Sequence, residues 1–398
     1  MYITTVVGNK PPRQLSFEEL FDAMISTNWM SSTAYPVREH RSHRVYTKTW
    51  RCKTWSSEIR AGFNPHRAAE YLNAFNERWA HIIDGNLASH YSRFYIPKQS
   101  GGLRAIDSPD EEISLAHVEL RHLLESEFYA THHANAFAYV KGRSTVDAVK
   151  RHQRNESKWI LKTDLSGFFP STTLDFTMNM LSQMFPFGIL CEYESYAQAL
   201  RRALSICFLN GGLPMGTKIS PMLTNLIMIP FDYELSKYLR DLQDADKNQD
   251  GKGRRFVYTR YADDMHISCG IEFDAKVIIE RIRQLFDVFD APYIIKDEKT
   301  HYGSTSGRNW ILGVMLNRDN RITIGHKKRH TIEAMVFNYL KDRAASKPWG
   351  YEELQYLQGL LSYYKMVDAD GMNALMNKYG AKFGLDVGKT IRRDMSAA

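Results

Sequence analysis

Two adjacent aspartates in a strongly patterned segment constrain the fold of this chain more than any other feature of its sequence. Residues 256–268 read FVYTRYADDMHIS, two runs rich in aromatic and β-branched residues, which predicts a β-hairpin with Asp263 and Asp264 at its tip. Adjacent carboxylates at a tight turn repel each other, so the pair lowers stability unless a cation lies between them. The segment therefore predicts a hairpin built around a cation site.

A third aspartate ends another predicted strand. Residues 159–164 read WILKTD, an apolar strand that finishes in Asp164. If this strand and the hairpin are neighbours in one sheet, Asp164 and Asp263 converge. Two Mg²⁺ ions about 3.5–4 Å apart could then be bridged, which is the arrangement for in-line phosphoryl transfer. One ion would lower the pKa of an attacking 3′-hydroxyl, and the other would stabilise a pyrophosphate leaving group.

A glycine-rich loop lies between these acids along the chain. Residues 211–225 read GGLPMGTKISPMLTN, and glycines at 211, 212 and 216 permit close approach of the backbone to a base pair. Ser220 and Pro221 then predict the start of a helix.

The order of predicted elements indicates an α+β fold. Residues 95–106 predict a hairpin that places Lys98 and Arg104 across from each other, and helices are predicted from Glu111 and after Ser144 as an N-cap. Strands and helices then alternate from Trp159 to about Leu316, which favours a split βαβ, ferredoxin-like sheet. From Lys327 onward the pattern is helical and basic.

Charge favours a polyanionic partner. The 398 residues carry 52 Lys and Arg against 45 Asp and Glu, a net charge of +7. The stretch 35–55 interleaves tyrosines and tryptophans with six cations, a composition typical of a nucleic-acid surface, although a solvated basic loop stays open. These cations are Arg38, Arg41, Arg44, Lys48, Arg51 and Lys53.

The cysteine pattern and the hydropathy of the sequence argue against zinc-binding, disulfide-rich and membrane-spanning proteins. The four cysteines form no C-x-x-C pair, so neither a zinc site nor a disulfide framework is indicated. No run of about 18 apolar residues occurs, and the first residues do not follow the order of a signal peptide. We expect a cytoplasmic protein without a membrane partner.

Six segments in a fixed order carry a resemblance to a known family. They read IPKQSGGLRAI, LKTDLSGFF, LPMGTKISPMLTN, YADD, KDEKT and ILGV, and they fall between residues 95 and 315. In these segments the chain resembles reverse transcriptases, specifically the prokaryotic kind found in group II introns, retrons and phage-defence systems. The resemblance implies a right-hand polymerase with fingers, a ferredoxin-like palm and an α-helical thumb. Its implied division is 1–90 as a helical and basic extension, 91–158 as fingers, 159–325 as palm with part of the fingers, and 326–398 as thumb.

The resemblance also implies roles for single residues. Asp164, Asp263 and Asp264 match the catalytic carboxylates, and the carbonyl of Leu165 would help them to bind two Mg²⁺ ions. The residues implied to contact the incoming deoxynucleotide and its templating base are Lys98, Arg104, Phe169, Met215, Gly216 and Lys299. Of these, Phe169 would reject a ribose 2′-hydroxyl, with Phe168 as the alternative. Lys327, Lys328 and Arg329 would follow the duplex backbone.

The resemblance predicts an RNA-directed DNA polymerase that takes an RNA template, a DNA primer and deoxynucleoside triphosphates. A cognate structured noncoding RNA is a further hypothesis, motivated by the basic stretch from Arg38 to Lys53. Three alternatives stay open: a template-independent DNA polymerase of a defence system, an RNA-binding or splicing-type protein with vestigial chemistry, and an RNA-directed RNA polymerase. YADD in place of a glycine-led GDD, together with Phe169, argues against the last. The Val-Thr-Gly triplet typical of retron enzymes is absent from the comparable stretch, residues 320–329.

Overall fold

A computed structural model describes residues 63–98, 101–250, 255–305 and 310–397, with side chains described outside 245–250. Residues 1–62 of the predicted N-terminal extension lie outside the described residues. The same holds for the six cations of the predicted basic stretch, Arg38, Arg41, Arg44, Lys48, Arg51 and Lys53.

The first described part consists of helices around a two-stranded hairpin. Its elements are α1 (Pro65–Arg78), α2 (Ala80–Ile83), β1 (Tyr91–Pro97), β2 (Leu103–Pro109), α3 (Glu111–Ser126) and α4 (Thr145–Arg154). Strands β1 and β2 pair antiparallel, which confirms the predicted hairpin. Ser144 caps α4 through a reciprocal capping box with Asp147, so the predicted helix start is confirmed as well.

The central sheet follows the ferredoxin-like topology. Its strands are β3 (Trp159–Ser166), β4 (Val257–Tyr261), β5 (Asp264–Cys269), β6 (Ile294–Ile295) and β7 (His301–Ser304). They lie in the order β4-β5-β3-β6, with β7 also on β3, and every pair is antiparallel. Six helices connect β3 to β4: α5 (Phe168–Ser171), α6 (Leu174–Leu181), α7 (Phe187–Leu190), α8 (Glu194–Ser205), α9 (Ser220–Ile227) and α10 (Ile229–Asp250). Helix α11 (Ala275–Phe289) connects β5 to β6, which completes a β-α-β-β-α-β unit.

Apolar residues at alternate positions hold this sheet against its helices. Leu161 and Leu165 on β3 and Ile267 on β5 are fully buried in one core with Ile282 of α11. Successive side chains along a strand point to opposite faces of the sheet, so every second residue lies on the face that packs on the helices. Residues at the ends of β3 and β5, including Asp164 and Asp264, are therefore fixed by a rigid base.

A second core holds the C-terminal part. Short strands β8 (Trp310–Ile311), β9 (Val314–Leu316) and β10 (Ile322–Thr323) form an antiparallel sheet, followed by α12 (His326–Ala344), α13 (Tyr351–Val367), α14 (Ala369–Phe383) and α15 (Val387–Ala397). Ile332, Leu357 and Ile391 are buried in this core. Among the described helices, none is both long and apolar enough to cross a membrane.

Candidate active site

The three predicted carboxylates meet where the hairpin joins β3. Strand β5 pairs with β3 so that Asp164 lies opposite Asp264, and Asp263 follows Ala262 in the two-residue turn between β4 and β5. The amide of Leu165 donates to the carbonyl of Asp263 at 3.3 Å. The strand and the hairpin are thus neighbours, as the sequence predicted, with Asp264 rather than Asp263 directly opposite Asp164.

Two lysines surround Asp164. The ammonium of Lys296 contacts Asp164 Oδ1 and lies 3.2 Å from the carbonyl oxygen of Leu165. The ammonium of Lys299 lies 3.2 Å from Asp164 Oδ2. Although burial opposes it, this hydrogen bond raises the pKa of Lys299. Lys299 was predicted from the sequence to approach a triphosphate, whereas Lys296 was missed; its place three residues before Lys299 in KDEKT was the available signal.

Asp263 and Asp264 have too little positive charge near them to compensate their own negative charges. Burial, followed by the nearby charges of Asp263 and Asp164, raises the pKa of Asp264 to about 6. Burial and the charge of Asp164 also raise the pKa of Asp263. Among the described residues no group of three or more His, Cys, Asp or Glu side chains has the spacing of a metal site. The positive charge beside Asp164 and the Leu165 carbonyl is supplied in this structure by the two lysine ammoniums.

A buried arginine supports the turn that carries Asp263. Arg260 on β4 is fully buried, and its guanidinium pairs with Asp232 of α10 through contacts of 2.8 and 2.9 Å. The same guanidinium donates to the carbonyl of Ala262 at 3.2 Å. Ala262 has a left-handed φ of 57°, which costs free energy for any residue other than glycine. Arg260 was not predicted from the sequence, although a charged residue inside a strand of aromatic and β-branched residues was the available signal.

The two adjacent phenylalanines, Phe168 and Phe169, lie in different surroundings. Phe168 is buried and packs on Tyr293 with ring centroids 5.0 Å apart. Phe169 is only partly buried, and its ring lies edge-on to Tyr139 at 6.3 Å. Phe169, rather than Phe168, is therefore the more accessible of the two rings, and it lies next to Tyr139.

Tyr139 is a residue of this site that sequence reasoning missed. Its side chain is 58% exposed and its backbone has a φ of 60°. Desolvation of the hydroxyl, then the charge of Asp263, raise its pKa, while Arg104 of the hairpin lowers it. Tyr139 thus lies between the hairpin and the carboxylates, next to Phe169, and no motif in the sequence indicated this.

The glycine-rich loop joins the hairpin to the site through close backbone contacts. The carbonyl of Met215 accepts from the amide of Asp107 on β2 at 2.8 Å, and a Cβ on Gly216 would lie 2.6 Å from the Asp107 carbonyl. A Cβ on Gly212 would lie 1.9 Å from the carbonyl of Pro170, next to Phe169. These glycines are required by close approach, as predicted, but the neighbour is the protein's own backbone.

The hairpin places its two cations differently from the prediction. Arg104 lies opposite Ile96, and the amide of Lys98 donates to the carbonyl of Gly102 at 2.9 Å. Lys98 and Arg104 are therefore diagonal neighbours on one face, because the register pairs Ile96 with Arg104 and Pro97 with Leu103. Both residues are exposed.

The predicted duplex contacts begin α12. Lys327 and Arg329 are exposed, whereas Lys328 is partly buried with its ammonium 4.5 Å from the ring centroid of Tyr363 and 5.6 Å from that of Trp310. The hydroxyl of Tyr363 donates to the carbonyl of Gly313 at 2.6 Å. Lys328 therefore contributes to packing between α12, α13 and the small sheet.

Comparison with known families agrees with this geometry. The family described as Reverse transcriptase (RNA-dependent DNA polymerase) matches residues 96–336, which is more than half of the chain and includes both strands that carry the carboxylates. The chain belongs to the reverse transcriptase family. This enzyme is accordingly an RNA-directed DNA polymerase, a nucleotidyltransferase of the kind found in bacterial retroelements.

Curated relatives of this reverse transcriptase are retron enzymes. It is 25% identical over 308 residues to the retron Ec83 reverse transcriptase of Escherichia coli, covering 75% of this chain and 90% of that protein. It is 26% identical over 291 residues to the retron Ec73 reverse transcriptase of the same organism, covering 71% and 85%. A solved C-terminally truncated apo telomerase of Candida tropicalis matches with a TM-score of 0.40 and 11% identity, covering 65% of this chain and 60% of that chain.

Proposed function

We propose that Asp164, Asp263 and Asp264 perform the nucleotidyl transfer, adding deoxynucleotides to a DNA primer on an RNA template. The observation that carries the proposal is the β3–β5 register, which puts Asp164 opposite Asp264 at the turn that bears Asp263. A rigid sheet then holds three carboxylates at the same end, as phosphoryl transfer requires of its positioning groups.

The donor chemistry of this site suits magnesium, although its carboxylates do not lie at metal-site spacing in this structure. The side chains of Asp164, Asp263 and Asp264 and the carbonyl of Leu165 supply the hard oxygen ligands that Mg²⁺ prefers. The raised pKa of Asp264 and the lysine contacts of Asp164 both indicate that the acids need positive charge. Two bound Mg²⁺ ions would supply Lewis-acid stabilisation of the developing charge. Lys296 would then leave the Leu165 carbonyl.

The residues around the carboxylates suit an incoming deoxynucleoside triphosphate. Lys98 and Arg104 lie exposed on one face of the hairpin, and Lys299 lies beside Asp164, so these three cations would contact the triphosphate. Phe169 would contact the sugar, and Met215 and Gly216 would contact the templating pair. The exposed Lys327 and Arg329 would follow the duplex, with Lys328 supporting the start of their helix.

The element order supports the division into fingers at 91–158, palm at 159–325 and thumb at 326–398, following an extension at 1–90. The similarity to retron reverse transcriptases supports a role in a retron-type element. A cognate noncoding RNA and a cytoplasmic location are proposed alongside that role. The basic stretch from Arg38 to Lys53 is proposed to contact that RNA.

Primer extension on a poly-rA/oligo-dT duplex with Mg²⁺ tests the proposed chemistry. Wild type is compared with Asp263→Ala/Asp264→Ala, and every product is sequenced. A matched control is Glu111→Ala/Glu112→Ala, which removes two adjacent exposed acids from the start of α3. Templated DNA from wild type and the control, and none from the aspartate variant, is the expected result.

Two other results would contradict the proposal. DNA without relation to the template would favour a template-independent polymerase that shares the same carboxylates. Undiminished synthesis by the aspartate variant would show that Asp263 and Asp264 are not the catalytic groups. Repeating the assay with co-purified RNA distinguishes an enzyme that needs its cognate RNA from a protein that only binds it.

A further inference from the structure

Four arginines line a groove at the end of the central sheet away from the carboxylates. Arg151 and Arg154 come from α4, Arg240 from α10, and Arg255 from the segment just before β4. Together they surround a cavity of about 400 Å³, and its described lining contains no carboxylate. We call these four residues the arginine groove. Such a concentration of positive charge is costly unless an anion compensates it.

The groove is separate from the active site. Tyr258, which lines it, lies near the start of β4, and Ala262 follows the end of that strand four residues later, a span of about 13 Å at the usual rise per residue. The nearest buried carboxylate, Asp232, already accepts from Arg260 and from the hydroxyl of Tyr258, the latter at 2.6 Å. The negative charge of Asp232 is therefore already compensated and does not neutralise the arginines of the groove.

The guanidiniums of the groove have too few hydrogen-bond partners among the described residues. One terminal nitrogen of Arg240 is buried and has no hydrogen-bond partner among them. Arg151 donates to Asn135 Oδ1 at 2.6 Å, a neutral partner. Burial, then the charges of Arg143 and Arg154, lower the pKa of Arg151. An unpaired buried donor on a charged group lowers stability, and a bound anion would recover that loss.

The shape of the groove favours an extended anion over a single small one. An adjoining cavity of about 310 Å³ shares Arg154, Asn155 and Arg255 with the first, so the two cavities form one longer groove; Glu156 lines only the second cavity. One phosphate is satisfied by one or two guanidiniums, because each guanidinium can bond two phosphate oxygens. Four guanidiniums along two joined cavities match the repeating charges of a nucleic-acid backbone.

We propose that the arginine groove binds the sugar–phosphate backbone of an RNA strand outside the template path. The proposal rests on the proposed function only for the choice of RNA over another polyanion. The groove would then hold RNA at the far end of the sheet while synthesis proceeds at the carboxylates. An RNA anchored there would stay with the enzyme regardless of the sequence being copied.

The test uses the full-length protein with Arg154→Gln/Arg255→Gln, because both side chains are exposed and their loss does not disturb the core. The control, Arg121→Gln/Arg201→Gln, removes the same charge from exposed arginines that pair with Glu125 and Asp175. Binding of a fluorescein-labelled 30-nucleotide RNA hairpin is measured by anisotropy between about 50 and 200 mM salt. Arg240→Gln is measured in parallel, since it removes the unpaired donor.

The groove variant is expected to bind the hairpin about tenfold more weakly at 100 mM salt, with the slope of log K against log salt reduced by about two. The control should change neither quantity as much, and extension of poly-rA/oligo-dT should persist in both. Binding that equals the control overturns the proposal. The proposal is also overturned if the groove variant binds the hairpin like the control and loses only the thermal stabilisation that inorganic phosphate gives to wild type. The groove would then bind a small anion. Failure of wild type to extend the primer would instead contradict the proposed function.

Discussion

Phe168 and Phe169 show how neighbouring residues of one type acquire different surroundings. The short helix α5 turns Phe168 into the core against Tyr293 and leaves Phe169 beside Tyr139. Phe169 can thus contact a sugar, while Phe168 stabilises the sheet. The sequence predicted Phe169 as the ring that contacts the sugar and kept Phe168 as the alternative, because a pair of adjacent aromatic residues does not specify which ring is buried.

Phe169→Ala is expected to admit ribonucleotides. Removing the ring leaves space for a 2′-hydroxyl, so the ratio of kcat/KM for dNTP over rNTP should fall at least about tenfold. Single-nucleotide extension with each substrate measures this ratio. Phe168→Ala is the control, with a loss of about 3–5 kcal/mol of unfolding free energy and an unchanged ratio. An unchanged ratio in Phe169→Ala would assign that ring to packing alone.

Asp264→Asn is expected to stabilise the metal-free enzyme while abolishing synthesis. The substitution removes one of three crowded carboxylates and so relieves repulsion from Asp164 and Asp263. We expect about 1 kcal/mol more unfolding free energy in EDTA at pH 7.5, a stability–activity trade-off. Denaturant unfolding with and without Mg²⁺ measures it, and Mg²⁺ should stabilise wild type more than the variant. A variant less stable than wild type in EDTA would refute the crowding argument.

At the scale of elements, the hairpin β4–β5 depends on a buried ion pair. Arg260 links Asp232 of α10 to the Ala262 carbonyl in the turn before Asp263. The arginine thereby couples the position of a helix to the position of a carboxylate.

Arg260→Met should cost about 3–5 kcal/mol of stability, because it leaves Asp232 charged and buried without its partner. The double variant Asp232→Leu/Arg260→Met should recover much of that stability, yet its kcat should stay low because the Ala262 carbonyl has lost its donor. Unfolding and primer-extension kinetics on the same preparations separate the two effects. Recovery of kcat together with stability would limit Arg260 to a structural role.

The glycine-rich loop couples the β1–β2 hairpin to the site in the same way. Gly216→Ala would place a Cβ 2.6 Å from the Asp107 carbonyl at a φ of 126°, so the loop or the hairpin must move. We expect KM for dNTP to rise about tenfold, since a displacement near 1 Å misplaces groups bound by both segments. Gly303→Ala on β7 is the control, as nothing lies within 4 Å of its Cβ. Equal KM values for the two variants would contradict the coupling.

At the scale of the whole molecule, one buried histidine joins α4 to the central sheet. The Nδ1 and Nε2 atoms of His152 lie 2.6 Å from Ser268 Oγ and 2.8 Å from Thr259 Oγ1. Burial, then the charge of Arg151, lower the pKa of His152 to about 3, and the ring of His266 on β5 faces it at 6.5 Å. His152 is therefore neutral in the folded protein.

This histidine makes stability depend on pH. Below its unfolded pKa of about 6.5 the unfolded chain gains a proton that the folded chain does not, so stability present at pH 7.5 is lost as the pH falls. The loss is about 1.4 kcal/mol per pH unit until the folded pKa is reached. His152→Gln should lose about 2 kcal/mol less than wild type between pH 7.5 and 5.0 in urea unfolding. Parallel pH profiles for the two proteins would exclude His152 as the source.

The sequence by itself determined the order of elements and the identity of the carboxylates, because strand periodicity, glycine placement and adjacent acids are local patterns. It also determined the family, through motifs whose order follows the chain. Only the tertiary structure decided that Lys296 contacts Asp164, that Arg260 supports the turn, and that Tyr139 lies beside Phe169. It likewise joined Arg151 and Arg154 to Arg240 and Arg255 in one groove. Such contacts join segments far apart in sequence, and no local pattern encodes which side chains meet once the sheet and helices have packed.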